Sequence, residues 1–201
     1  MFSLNKPTAA ALNRSLAAAA HLPPSQSSFL ALQTGLKSPH LPFGFALDVS
    51  RTLLGNDQSA FEQAKLAFRR WVHFDLGWVS VANPSAAIAV GQIVAVQART
   101  LGLRSLNLSR IVEVVDTPTS FGFLYVTTPL HVENGEERFL LTLDSTNGNL
   151  WYEVEAVSRP RNLLAFLGLP ITRYFQHRFA RESHARIAEV VSSFPPYVPA
   201  G

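Results

Sequence analysis

The 201-residue sequence contains no cysteine. This absence excludes disulfide frameworks, thiolate metal sites and cysteine nucleophiles, and it fits a reducing compartment. Charged residues are also scarce, at 15% of the chain against 47% hydrophobic residues. Because a chain of this length can bury enough apolar surface without cross-links, the composition favours one domain with a generous core or a lined cavity.

Long hydrophobic runs and familiar catalytic motifs are missing as well. No segment approaches the roughly eighteen uninterrupted apolar residues of a transmembrane helix, and no good signal-peptide cleavage site follows the alanine-rich residues 9–20. We therefore expect a cytoplasmic protein. The sequence has no glycine-rich phosphate loop, nucleophile elbow or zinc-protease motif. His177 and His184 have no third ligand beside them, so we expect no metal and no cofactor.

Three helices are predicted from periodicity and capping signals. Residues 8–20 are strong helix formers, and a second helix begins with Asp57 or Ser59 as its N-cap. A third and much longer helix follows Pro170 and runs to about Ser193. Its apolar seam needs a partner surface, and the only large one available is a sheet.

The hydrophobic period changes to two in the middle of the chain, which is typical of strands. Six strands are predicted there, at residues 77–81, 92–99, 106–115, 120–128, 136–143 and 150–157. Two strand-like stretches precede them, at residues 29–34 and 46–53. Short connections make most of the strands antiparallel neighbours. The fold class is therefore α+β, with a curved antiparallel sheet of six to seven strands packed on the C-terminal helix. The predicted parts are an N-terminal helix and linker (1–28), one domain (29–194) and a loose tail (195–201).

Strand alternation predicts which polar side chains face the apolar side of the sheet. The count places Glu137 with Phe139, and it places Arg110 with Leu106 and Leu108. The predicted ligand-binding residues are Arg110, Phe123, Tyr125, Glu137, Phe139 and Tyr152 on strands, and Tyr174 on the last helix. Two interpretations stay open: a buried ion pair between Arg110 and Glu137 that only fixes strand register, or a polar patch inside a hydrophobic hollow.

Two residues are candidates for catalysis, although the sequence names no reaction. Glu137 faces the hollow, and His131 follows a strand near the same turn, so either could act as a general base. A lone loop histidine is more often only solvated.

A basic run marks the end of the chain. Six arginines lie between Arg159 and Arg186 against the single acid Glu182. Such a run could give weak contact with an anionic membrane or an acidic partner, and a solvated helix face is the alternative. No nucleic-acid partner is expected, because the aromatic residues are interleaved with aliphatic residues rather than with lysines and arginines. The oligomeric state is not readable.

Several short motifs follow one another in a characteristic order along the chain. They are L-P-F-G-F at residues 41–45, Ser109-Arg110, Gly122-Phe123-x-Tyr125, Pro129-Leu130-His131, G-E-E-R-F at residues 135–139 and Ser158-Arg159-Pro160. Together they resemble the bacterial and plant family catalogued as domain of unknown function 1990. The resemblance implies a START-like, helix-grip architecture of the kind found in the birch-pollen allergen and polyketide cyclases, and it implies no particular activity.

Three functional hypotheses follow. The first is binding of a hydrophobic small molecule, such as a lipid, isoprenoid or aromatic compound, in a cavity between the sheet and the C-terminal helix. The second is a hydrolase or cyclase acting in the same cavity with Glu137 or His131 as general base. The third is an interaction module that uses the basic C-terminal helix.

Overall fold

The computed structural model describes residues 2–3, 5–23, 41, 44–160 and 169–193, and a curved antiparallel sheet dominates them. Its strands are β1 (Phe2–Ser3), β2 (Ala46–Gly55), β3 (Val79–Val81), β4 (Ile93–Thr100), β5 (Leu103–Asp116), β6 (Ser120–Thr127), β7 (Glu133–Leu143) and β8 (Leu150–Pro160). The strand predicted at residues 29–34 lies outside the described residues.

The sheet has the order β2-β8-β7-β6-β5-β4-β3, and β1 pairs with the start of β5. Chain neighbours pair as hairpins from β3 to β8, whereas β2 pairs with β8 across the length of the domain. The turn between β4 and β5 has positive φ at both central residues, 51° at Leu101 and 81° at Gly102. This geometry is that of the type I′ turn, whose twist matches the twist of the flanking strands.

Three helices and one 3-10 turn complete the described fold. They are α1 (Ala9–His21), α2 (Gln58–Arg69), the 3-10 turn (Val72–Phe74) and α3 (Leu169–Ser192). Asp57 is the N-cap of α2, since its Oδ1 accepts the N–H of Ala60 at 2.7 Å. The long helix α3 packs against β2, β8, α2 and the 3-10 turn, on the concave face of the sheet.

Only one end of the concave face is filled by side chains. There Phe68 and Trp71, from α2 and its C-terminal end, meet the sheet, with ring centroids 5.1 Å apart for Phe68 and Tyr152 and 5.4 Å apart for Trp71 and Phe123. The buried core at this end also contains Phe61, Phe121, Phe139, Leu141, Leu150 and Ile187. The other end, under the first half of α3, is left open.

The convex face carries a second, smaller core under α1. Ala19 of α1 is fully buried, and it belongs to a cluster with Ile93, Ala95, Leu106 and Leu108. β4 is therefore apolar on both faces, whereas the first half of β5 is apolar on its convex face and carries Ser105 and Asn107 on its concave face. Alternation alone cannot tell such a strand's concave face from its convex face.

Candidate functional site

The open end of the concave face is a cavity of about 340 Å³ between the sheet and the first half of α3. Its apolar lining includes Phe74, Trp78, Val96, Val154, Phe175 and Phe179. A concave site of this size with apolar walls and a few polar groups is the usual form of a small-molecule site.

Glu137 and Tyr125 form the central polar pair of the cavity. They are directly opposite each other on β7 and β6, and the Tyr125 hydroxyl donates to Oε2 of Glu137 at 2.5 Å. Burial raises the pKa of Glu137 to about 7, and the nearby charges of Glu133 and Asp48 add to this, whereas the hydrogen bond from Tyr125 opposes it. Burial together with the Glu137 charge raises the pKa of Tyr125 well above its ordinary value. Glu137 therefore changes charge near neutral pH while Tyr125 stays protonated.

A second carboxyl group lies on the same strand, at Glu133. The Gln176 amide of α3 donates to Oε2 of Glu133 at 3.3 Å and to Oγ of Ser158 at 3.0 Å. Burial raises the pKa of Glu133 to about 6, against the opposing effects of the Gln176 hydrogen bond and of Arg173. Gln176 thus connects α3 to both β7 and β8 at the wall of the cavity.

Asp48 of β2 also lines the cavity, and it pairs with Arg173 of α3. The pair joins the sheet edge to the helix that covers it. The guanidinium of Arg173, whose charge lowers the pKa of Glu133, is therefore already engaged by Asp48.

Asn107 of β5 also lines the cavity. Its side chain is buried, with the residue 8% exposed. The amide Nδ2 donates to Oγ of Ser105 at 3.1 Å, whereas Oδ1 has no hydrogen-bond partner among the described residues. A buried acceptor without a donor costs on the order of 1–3 kcal/mol, so a ligand donor placed there would stabilise the site.

Comparison with known proteins places the chain in a family. The family model described as Domain of unknown function (DUF1990) matches residues 31–186. The chain belongs to this family. A UPF0548 protein of Dictyostelium discoideum is 34% identical over 160 residues, which is 74% of this chain and 74% of that protein. A UPF0548 protein of Arabidopsis thaliana is 31% identical over 157 residues, which is 75% of each chain.

The fold of this DUF1990 chain also occurs among solved structures. A crystal structure of a Thermus thermophilus protein matches with a TM-score of 0.50 at 9% identity, covering 74% of this chain and 98% of that one. At this identity the likeness concerns the fold alone. The architecture is the helix-grip, in which a long C-terminal helix lies on a curled antiparallel sheet, so the predicted fold class and family are confirmed.

Close packing between strands explains why glycine occupies two positions of the family motifs. A Cβ on Gly122 would lie 2.1 Å from the carbonyl oxygen of Phe139, and a Cβ on Gly135 would lie 2.4 Å from that of Val157. Both contacts are with backbone of the neighbouring strand, which cannot move without breaking the ladder. Glycine at these positions lets β6, β7 and β8 approach closely beside Tyr125 and Glu137.

The predicted site residues divide between the cavity and its surroundings. Tyr125, Glu137 and His131 line the cavity. His131 accepts the N–H of Glu133 with its Nδ1 at 3.0 Å, and its role as a base stays a prediction. Phe123, Phe139 and Tyr152 face the concave side as predicted, but they lie in the filled end, fully buried or nearly so. Tyr174 is 59% exposed and lies outside the cavity lining.

The prediction that Arg110 points into the hollow is wrong. Arg110 shares a face with Leu106 and Leu108, and this is the convex face under α1. The β-bulge between Ile111 and Glu113 breaks the alternation, so Ile111 and Val114 both face the concave side. On the convex side, the Arg110 guanidinium donates to the carbonyl oxygens of Ala19, Ala20 and Leu22, each at 3.0 Å. The proposed ion pair with Glu137 is therefore wrong as well, and Arg110 caps the C-terminal end of α1.

Replacing this cap gives a prediction that separates structure from binding. Arg110→Met should lower the free energy of unfolding by about 1–1.5 kcal/mol, because three carbonyl oxygens lose a charged donor. Ligand affinity should not change. Urea unfolding and amide hydrogen exchange along α1 measure the first effect, with Arg99→Met at an exposed position of β4 as the control. Weakened ligand binding with α1 protection intact would contradict this assignment.

Several polar residues of the site were not predicted, among them Asp48, Asn107, Glu133 and Gln176. A signal existed for Glu133, because the alternation that includes Glu137 continues backward through Gly135 to Glu133. The Asn134-Gly135 pair resembles a turn and hid this extension. Gln176 and Asn107 gave no signal, because their role depends on how α3 and β5 meet across the cavity.

Metal and membrane features were searched in the described part of the chain. No group of three or more histidine, aspartate or glutamate side chains there is placed to hold a metal ion. Among the same residues, no helix has both the length and the apolar character needed to cross a membrane. The boundaries after residues 28 and 194 stay predictions.

Proposed function

We propose that this protein binds a hydrophobic small molecule, such as a lipid, isoprenoid or aromatic compound, in the cavity between the sheet and α3. The observation that carries the proposal is the contrast between the two ends of the concave face. One end is packed with aromatic side chains, whereas the other encloses about 340 Å³. An open cavity of this size with many apolar side chains in its wall is typical of small-molecule sites.

The cavity walls support an apolar ligand body. Phe175 and Phe179 of α3 face Val96 of β4 and Val154 of β8 across the open space. Glu137 and Tyr125 form a polar pair against these apolar walls, so they would orient one end of a ligand. We expect one polar head group on an apolar body.

Filling the cavity tests the proposal. The neutral dye prodan should bind with blue-shifted emission, and Ala156→Phe should weaken its affinity about tenfold or more, since Ala156 lines the cavity beside Glu137. Ala89→Phe adds the same ring at an exposed loop position and serves as the control. Equal affinity of Ala156→Phe and the parent protein would place the dye elsewhere and count against the proposal.

A hydrolase or cyclase activity in the same cavity is a second candidate, favoured by the Tyr125–Glu137 pair. A general base works best when its pKa lies near the working pH, and burial brings the pKa of Glu137 to about 7. Release of 2-naphthol from 2-naphthyl acetate is a suitable assay. Turnover above the buffer rate that disappears in Glu137→Gln, with prodan binding retained, would support this candidate. Turnover unchanged in the variant would remove it.

The interaction-module hypothesis is weakened by the partners of the basic residues. Arg178 pairs with Glu182 at 2.7 Å, and Arg186 pairs with Glu189 at 2.8 Å. Arg173 pairs with Asp48. Much of the positive charge on α3 is therefore matched locally, which lowers its attraction for an anionic surface.

A further inference from the structure

The polar groups that line the cavity are mainly hydrogen-bond acceptors. Three of the described lining residues have carboxyl groups on the concave side, namely Asp48, Glu133 and Glu137. The described lining contains no lysine or arginine, and its other ionisable residues are Tyr125, His131, Glu136 and His177. The cavity thus has a strongly one-sided charge.

The hydrogen-bond donors beside these carboxyl groups are already engaged. The Tyr125 hydroxyl donates to Glu137, and the Gln176 amide donates to Glu133 and Ser158. The Asn107 amide donates to Ser105. The strongest donors next to Glu137 and Glu133 are therefore used within the protein, and the carboxylate oxygens remain the main charged groups that a ligand head would meet.

Unsatisfied acceptors supply an independent observation. Oδ1 of Asn107 and Oε1 of Gln176 are buried and have no hydrogen-bond partner within the described residues. Asn107 is more than nine-tenths buried, and both residues line the cavity. Two buried carbonyl oxygens of lining residues therefore lack donors, which adds to the excess of acceptors in this part of the protein.

We propose that the cavity selects hydrophobic ligands with a hydrogen-bond-donating head group, and that the preferred head is a protonated primary amine. This inference rests on the proposed binding function and specifies its ligand class. An ammonium group carries three donors and no acceptor. It can therefore donate to a carboxylate such as that of Glu137 and to neutral acceptors of the cavity wall. A carboxylate or phosphate head would instead meet like charges in a low-dielectric space.

Three ligands with one ring system test the head group. They are 2-naphthylmethylamine, 2-naphthylmethanol and 2-naphthoate, titrated by calorimetry or prodan displacement at pH 8. We expect the amine to bind about tenfold more tightly than the alcohol, because charge-assisted hydrogen bonds are about twice as strong as neutral ones. The carboxylate should bind about tenfold more weakly than the alcohol.

Isosteric variants identify the carboxyl group responsible. Glu137→Gln keeps an acceptor for the Tyr125 hydroxyl but removes the charge. It should reduce the preference for the amine over the alcohol about tenfold. Glu62→Gln, at an exposed position of α2, should leave all three affinities unchanged.

The outcomes separate this inference from the proposed function. Equal binding of the three compounds, tightest binding of the carboxylate, or an amine preference that survives in Glu137→Gln would overturn the amine inference while binding itself stands. Binding of prodan with no binding of any naphthyl compound would overturn it too. Failure of prodan and all three compounds would contradict the binding function as well.

Discussion

Glu137→Gln should make the protein more stable at pH 8 by about 3 kcal/mol and leave its stability nearly unchanged at pH 4.5. The reason is that burial raises the pKa of Glu137 to about 7 from its ordinary value of 4.5. Between these values the folded state holds a proton that the unfolded state has released, so acid favours folding. Above pH 7 both states are ionised, and the folded state carries the full cost of a buried charge, which glutamine removes.

Urea unfolding followed by tryptophan fluorescence at the two pH values measures this effect. Glu62→Gln makes the same chemical change at an exposed position and should alter stability by less than about 0.5 kcal/mol at both. A stabilisation of equal size at pH 8 and pH 4.5 would mean that the charge of Glu137 is not the cause. Destabilisation at pH 8 would mean that this carboxylate supports the fold rather than a ligand.

His73→Leu should change the pH dependence of stability in the direction opposite to that of Glu137→Gln, because it removes a group that disfavours folding in acid. His73 is fully buried among aromatic rings, stacked on Phe68 at 4.4 Å and 4.7 Å from Phe74, and its two nitrogens have no partner within the described residues. Burial lowers the pKa of His73 from 6.5 to about 3. Stability from this neutral histidine is complete above pH 6.5 and is lost as the pH falls toward 3, because only the unfolded state binds the proton.

The expected size follows from the two pKa values. Between pH 8 and pH 4.5 the free energy of unfolding of the parent protein should fall by about 2.5 kcal/mol more than that of His73→Leu. Any cost of the substitution that does not depend on pH cancels in this comparison. His177→Leu, at an exposed position of α3, should show no such difference. Unfolding curves of all three proteins at both pH values give the comparison, and a difference between His73→Leu and the parent that does not vary with pH would contradict the assignment. Burial also lowers the pKa of His184, to about 4, so some acid sensitivity should persist in the variant.

Much of the fold could be predicted because it depends on local patterns. Alternation from Phe121 to Tyr125 and from Glu137 to Leu143 gave the correct faces, and it brought Tyr125 and Glu137 together on adjacent strands. Asp57, one of the two predicted N-cap candidates, caps α2. These features depend on neighbours two to four residues apart, and such neighbours are visible in a sequence.

The errors arose where long-range packing decides the outcome. Arg110 shares a face with Leu106 and Leu108 as counted, but that face is covered by α1, and the bulge after Ile111 breaks the phase with Val114. The aromatic residues Phe123 and Phe139 face inward, yet α2 fills the space above them. No local pattern states which half of a concave face a helix will occupy.

The position of a bound ligand tests the central claim most directly, namely that one end of the concave face is open and the other is filled. Methyl NMR of valine- and leucine-labelled protein titrated with prodan provides that position. The account predicts shifts at Val79, Val96 and Val154, which line the cavity, and little change at Leu141, Leu143 and Leu150, which lie in the filled end. Shifts centred on the three leucines, or no shifts at the three valines, would contradict it.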